Sequence, residues 1–193
     1  MLEFIQNIRI KFNKLIFLSF YSWSFKKFGK RSTLSFPFRV NGAKYITIGN
    51  KVHISERSWI FAYKRIGNDP QINIHDGTYI GRSTHIVSVS GITIQQNVLI
   101  SDKVYLSDNL HEYKNIELPI KSQKILDKGP ISIGENTWIG ENVCVIGSSI
   151  GKHCVIGSNS VVLSNIPDYS VAVGSPAKVI KRYNQITKDW ERV

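Results

Sequence analysis

The sequence predicts an all-β protein wound as a parallel β-helix of about five three-sided coils. Three observations carry this expectation. An aliphatic residue recurs every six positions, a small or β-branched residue follows four places later, and glycine often stands directly after the aliphatic. A period of six fits neither the 3.6-residue turn of a helix nor the two-residue alternation of a long strand. It fits a short strand and a turn repeated three times per coil.

The aliphatic column reads Ile48, Ile54 and Ile60, then Ile74, Ile80 and Ile86, then Ile94, Ile100 and Leu106. It continues through Ile133, Ile139 and Val145 to Ile150, Ile156 and Val162. Stacked coils place such residues above one another at the spacing of adjacent strands, about 4.8 Å, and so build one apolar interior. The second column, including Val52, Ser58, Thr78, Thr84, Val98, Thr137, Cys154 and Ser160, shares that narrow space and must stay small. Glycine at 49, 81, 134, 140, 151 and 157 is read as easing the chain around its corners.

Two interruptions, 61–72 and 107–130, break the period. A coil in register can only expel them as loops, and such excursions commonly carry a binding face. The chain therefore divides into an N-terminal amphipathic helical segment (1–44), a β-helix (45–166) with these two insertions, and a C-terminal capping tail (167–193) expected to be helical. The ends of a solenoid expose unpaired backbone, which these terminal segments would cover.

Composition narrows the function. Hydrophobic residues make up 42% and charged residues 20% of the chain, as in an ordinary globular domain. Cys144 and Cys154 show no framework spacing, so the cytoplasm is the expected compartment. The net charge of +11 suits an anionic partner. No Walker loop, zinc-ligand cluster or aromatic RNA-binding motif appears, and no nucleic-acid partner is assigned. The first thirty-one residues mix Arg9, Lys11, Lys14, Lys26, Lys27, Lys30 and Arg31 with Phe, Ile, Leu and Trp. Their longest uncharged stretch, 15–25, is about half of what a spanning helix needs. Two readings stand: a helix lying on an anionic membrane surface, or one packed over an end of the coil.

The hexads, above all ISIGENTWIGENV and IGKHCVIGSNSVVLSNIPDYSVAVGSPAKVIKR, resemble the left-handed β-helix hexapeptide acyltransferases. The segment SDNLHEYKNIELPIKSQKILDKGPISIGENTWIG resembles O-acetyltransferases of lipopolysaccharide and capsule synthesis, with maltose and galactoside O-acetyltransferases as wider relatives. The likeness covers about residues 45–182. It implies a left-handed coil, a homotrimer with sites between subunits, acetyl-CoA as acyl donor, and a sugar or glycan as acceptor.

Within that frame His111 is the expected catalytic base, because an imidazole titrates near neutral pH and can relay a proton. It lies in the larger insertion, beside Asp108, Asn109, Glu112 and Tyr113. Asp108 or Glu112 could orient the ring, and Asn109 and Tyr113 are candidate acceptor contacts. The resemblance places Trp138, Glu141, Ser158, Ser164, Lys178 and Lys181 along the coenzyme, the two lysines near its phosphates. Ser164 stands where relatives often carry lysine. His53, His75, His85 and His153 are read as surface histidines. His75 precedes His111 by two nominal coils, but position 116 is Ile, so no metal site is expected. Rival readings are N-acetylation of an amino sugar, O-acetylation of serine, and a non-catalytic binding scaffold.

Overall fold

The structure, a computed structural model, describes residues 1, 4, 5, 8, 11, 12, 16, 17, 19–65 and 67–193. Six coils follow one another. They are β1 (Lys27–Phe28), β2 (Thr33–Leu34) and β3 (Arg39–Asn41); β4 (Ile46–Ile48), β5 (His53–Ile54) and β6 (Trp59–Ala62); and β7 (Gln71–Ile74), β8 (Tyr79–Ile80) and β9 (His85–Ser88). Next come β10 (Gly91–Ile94), β11 (Leu99–Ile100) and β12 (Tyr105–Ser107). A hairpin, β13 (Asn109–His111) and β14 (Ile125–Asp127), then leaves the coil. The fifth coil is β15 (Ile131–Ile133), β16 (Trp138–Ile139) and β17 (Cys144–Ile146). The sixth is a bridge at Ile150 followed by β18 (Val155–Ile156) and β19 (Val161–Val162).

Each coil adds one parallel strand to each of three faces. The first face runs β1-β4-β7-β10-β15, and the third runs from β3 through β6, β9, β12 and β17 to β19. The second runs β2-β5-β8-β11-β16-β18, then takes β20 (Ser170–Val173), β21 (Lys178–Asn184) and β22 (Asp189–Arg192). Register keeps like over like, as in Ile46, Ile72, Ile92 and Ile131 across the first face. All fifteen aliphatic positions point inward and are at most 2% exposed.

The corners follow a different rule from the expected one. The glycines directly after the aliphatic are not in the left-handed region; the residue three places after the aliphatic is. Lys51, Arg57, Ser83, Asn97, Lys103, Asn136, Asn142, His153 and Asn159 all have φ between 50° and 62°. The glycine answers to close approach instead. A Cβ on Gly134 would fall within 3 Å of the Gly151–Lys152 peptide one coil on.

Two terminal expectations are corrected. Residues 22–44 are not α-helical: between 3-10 turns at Ser22–Ser24 and Ala43–Tyr45 they form a coil of their own, six in all rather than five. Over 1–20 the expected helix falls largely outside the described residues. Phe17 is 1% exposed and closes the open end of the coil, its ring 4.9 Å from Phe28 and 5.5 Å from Phe38. The tail is not helical either. Its β-branched Val171, Val173, Val179 and Ile180 suit strands, and β21 pairs antiparallel with β20, satisfying the backbone edge the last coil would leave open. The charged β22 is the new edge.

Candidate active site

The turns from first face to second, and from second to third, are four residues long in every coil. The turns from third face back to first range from two residues (Val89–Ser90) to the twenty-three of 108–130. Every irregularity of the sequence therefore falls on one edge of the prism, and the excursion at 63–70 lies on the same edge as the hairpin.

Asp108 fastens this edge. It is fully buried, and its carboxylate accepts from Ser88 Oγ (2.7 Å) and from the backbone N–H groups of Val89 (2.9 Å), Ser90 (2.9 Å) and Gly91 (2.8 Å). The Asn109 side-chain amide adds a fifth donor at 3.1 Å. The backbone carbonyl of Asp108 accepts from Lys128 N–H at 2.8 Å, which closes the base of the insertion. The Asp108 carboxylate, one of the two groups expected to orient the imidazole, is thus engaged by the 88–91 turn. Glu112, the other, is engaged by the backbone that follows it. Its carboxylate accepts from the N–H groups of Tyr113 and Lys114, and these bonds, with Lys114 first, hold its pKa below the usual carboxylate value.

His111 ends β13, opposite Ile125, and is exposed. Among the described residues no group hydrogen-bonds its ring. It lies between two cavities that share Tyr63, His111 and Ile125 as walls. One is a trough of about 410 Å³ whose floor is the outer surface of the third face and whose wall is the hairpin. Eight of its eleven lining residues are aromatic or aliphatic, so it suits an apolar body. The other, about 550 Å³, carries Lys64, Arg65 and Lys121 and no carboxylate.

The floor of the trough went unread in the sequence. Trp59, His85 and Tyr105 are register partners on successive strands. Trp59 and His85 stack with centroids 4.2 Å apart and planes at 10°, while Tyr105 lies 5.3 Å from His85. The guanidinium of Arg39 sits 4.5 Å above Trp59. His85 is not the surface histidine expected. Its Nε2 is buried without a hydrogen-bond partner, and burial pushes its pKa below 6.5. A signal was present: the residue before the aliphatic is aromatic in three successive coils of this face, at 59, 85 and 105.

Of the acceptor candidates, Asn109 lines the trough, its amide also donating to the Val87 carbonyl at 3.3 Å. Tyr113 is 65% exposed and lines neither cavity. The coenzyme candidates sit elsewhere. Register across the second face runs Trp138, Val155, Val171, Lys181, so Trp138 and Lys181 share its outer surface. A bulge between Val171 and Ala172 pairs Lys178 with Val173, which turns both lysines the same way although they are three residues apart. Trp138 Nε1 donates to Ser101 Oγ at 3.1 Å, and Glu141 is engaged by Lys103 at 2.9 Å. Glu141 and Ser158 lie on the turns from second to third face, and exposed Ser164 on the irregular edge beyond Val162. In a three-sided prism the second face lies opposite the edge that carries His111. One chain therefore does not bring the base together with the second-face candidates Trp138, Lys178 and Lys181.

The fold and repeat together define a parallel β-helix built of hexapeptide coils. Residues 130–164 match the model of the bacterial transferase hexapeptide (six repeats) family. An acetyltransferase-named protein of Mycobacterium tuberculosis is 42% identical over 70% of this chain and 44% of its own length. WbbJ of Escherichia coli, named for lipopolysaccharide biosynthesis O-acetyl transfer, is 39% identical over 61% of this chain and 63% of its own length. The chain thus spans about half to two thirds of these relatives. Among solved structures, the Bacillus cereus N-acyltransferase AntD superposes with a TM-score of 0.74 at 18% identity, covering 88% of this chain and 89% of that one, a likeness of fold.

Proposed function

We propose that the protein is an acetyl-CoA-dependent O-acetyltransferase acting on a sugar hydroxyl in surface-polysaccharide synthesis. The observation that carries this reading is His111 itself: an unengaged imidazole placed where two cavities meet. The names of the two relatives support acetyl transfer, and that of WbbJ supports a glycan acceptor.

In this reading His111 takes the proton of the acceptor hydroxyl as its oxygen attacks the thioester carbonyl. The carbon–sulfur bond breaks, and the imidazolium returns the proton to the departing thiolate. No acyl-enzyme is needed. Trp138, Lys178 and Lys181, on one outer face, suit a coenzyme lying along it, the lysines toward its phosphates. Because that face is opposite the His111 edge, the site is completed by a second copy, with Asp108 and Asn109 holding the base in place. A homotrimer of left-handed coils, as in the family, satisfies this requirement.

A cytoplasmic protein touching the inner membrane face fits the exposed Phe4, Ile8, Phe12, Phe20 and Trp23 near a basic surface. Among the described residues no helix is long and apolar enough to cross a membrane.

The test is thiol release from acetyl-CoA by the His111→Ala variant against a panel of sugars and amines. Turnover should fall by about 10²–10⁴-fold, the usual contribution of a general base, with CoA affinity by calorimetry unchanged. Undiminished turnover would overturn the assignment, and a preference for amines would move the acceptor from oxygen to nitrogen.

A further inference from the structure

We propose that the acceptor is a phosphorylated sugar, its ring in the aromatic trough and its phosphoryl group in the basic cavity formed by Lys64, Arg65 and Lys121. This inference rests on the reading of His111 as the base and names the substrate class that base would serve.

The geometry separates the two jobs. The trough offers an indole, a phenol and aliphatic side chains, a surface that accepts the C–H face of a pyranose and has no cation among its lining residues. The neighbouring cavity carries three cations and no lining acid. Lys64 is held by Asp69 at 3.0 Å. Arg65 and Lys121 have no ion-pair partner among the described residues, so their charge is free for a ligand. Arginine and lysine together are the groups that bind a phosphate, by a planar fork and a point charge.

The anion belongs to the acceptor and not to acetyl-CoA. His111 is a wall of both cavities, so a group in the basic one lies next to the reacting atoms. In acetyl-CoA the whole pantetheine arm separates thioester from phosphates, and an arm that puts the thioester at His111 carries the phosphates well away. In a sugar phosphate, one ring separates the phosphoryl group from a hydroxyl. Both a nucleotide-linked and a lipid-linked sugar present this chemistry.

The experiment is equilibrium binding to the full-length protein, using glucose 1-phosphate, glucuronate and glucose as probes. Wild type should bind glucose 1-phosphate at least about tenfold more tightly than either of the others, the equivalent of one charge-assisted contact. The double variant Arg65→Gln, Lys121→Gln should lose that preference while its affinity for CoA stays within about twofold of wild type. Both side chains are at the surface, and Lys121→Glu alone, which should reverse the preference, guards against an effect of folding. UDP-glucose and a short-chain isoprenyl diphosphate glucose distinguish the carriers, the tighter ligand naming the source. No preference, a preference that survives the double variant, a stronger grip on glucuronate, or a loss of CoA affinity would each overturn the proposal. His111→Ala should keep the phosphate preference while losing turnover, so failure of the base assignment and failure of the acceptor class give different results.

Discussion

Two edges of the prism turn in four residues every time, while the third admits turns of two to twenty-three. The regular edges are defined by contact between coils: a glycine against the next peptide, and a left-handed residue two places later. The irregular edge is defined by contact within a turn, with Asp108 gathering the N–H groups of Val89, Ser90 and Gly91. A solenoid can vary where its hydrogen bonds are local and must repeat where they are shared. The candidate site lies on the edge that varies.

The largest expected effect breaks a regular edge. Gly134→Val would drive side-chain atoms into the Gly151–Lys152 peptide, which cannot move without shifting the whole coil. A loss of about 3 kcal/mol or more is expected, read as a lowered chemical-denaturation midpoint. The paired control lengthens the irregular edge by two residues after exposed Glu117. Loop closure grows so slowly with length that this should cost well under about 1 kcal/mol. Equal losses in the two variants would end the distinction between the edges.

Next comes the pin of the irregular edge. Asp108→Asn keeps the size but puts an NH₂ where an oxygen accepts from two backbone N–H groups and a hydroxyl. Leaving buried donors unmatched should cost about 2–4 kcal/mol. Turnover should fall with it, because the base of the His111 hairpin hangs on this carboxylate. Unaltered stability with lost turnover would instead restore Asp108 to a direct catalytic part.

The regular edges were largely legible in the sequence because each rung repeats the same constraint. The period even reached further than the aliphatics suggest. Phe28, Leu34 and Val40 continue it upstream, with Gly29 in place, but their aromatic and basic surroundings read as an amphipathic helix. At the other end the tail keeps β-branched residues without the six-residue spacing, since antiparallel strands answer to pairing rather than to stacking. His111 was legible as a polar loop residue. What its neighbours do was not. Whether Asp108 faces an imidazole or a turn depends on where the chain folds back over twenty residues, and spacing along the sequence carries none of that. Lys64, Arg65 and Lys121 likewise become one pocket only when two excursions fall on the same edge.

A smaller effect tests the corner rule itself. Asn142 holds φ at 59° on a regular edge. Asn142→Ala should cost about 1–2 kcal/mol, since an ordinary side chain crowds its own carbonyl there. Asn142→Gly should be close to neutral. An alanine variant as stable as wild type would show that the hydrogen bond from Asn142 Nδ2 to Asn159 Oδ1, at 2.9 Å, and the left-handed φ contribute nothing.

The smallest effect lies in the trough and appears only with pH. Burial holds the His85 pKa below its ordinary 6.5, so the folded chain binds a proton there less readily than the unfolded one. Stability from this site is therefore complete above about pH 6.5 and declines as pH falls toward the folded value. Arg39 across Trp59, His111 in the same trough, and the phenols of Tyr105, 5.3 Å from His85, and Tyr63 are the titratable or charged neighbours, and none is a carboxylate that would welcome the proton. His85→Phe keeps the ring on Trp59 and removes the titration. Thermal midpoints at pH 7.5 and 5.5 should differ less in this variant than in wild type. An unchanged difference would mean that solvent reaches Nε2, and the trough would then be wetter and less selective for a sugar's apolar face than its walls indicate.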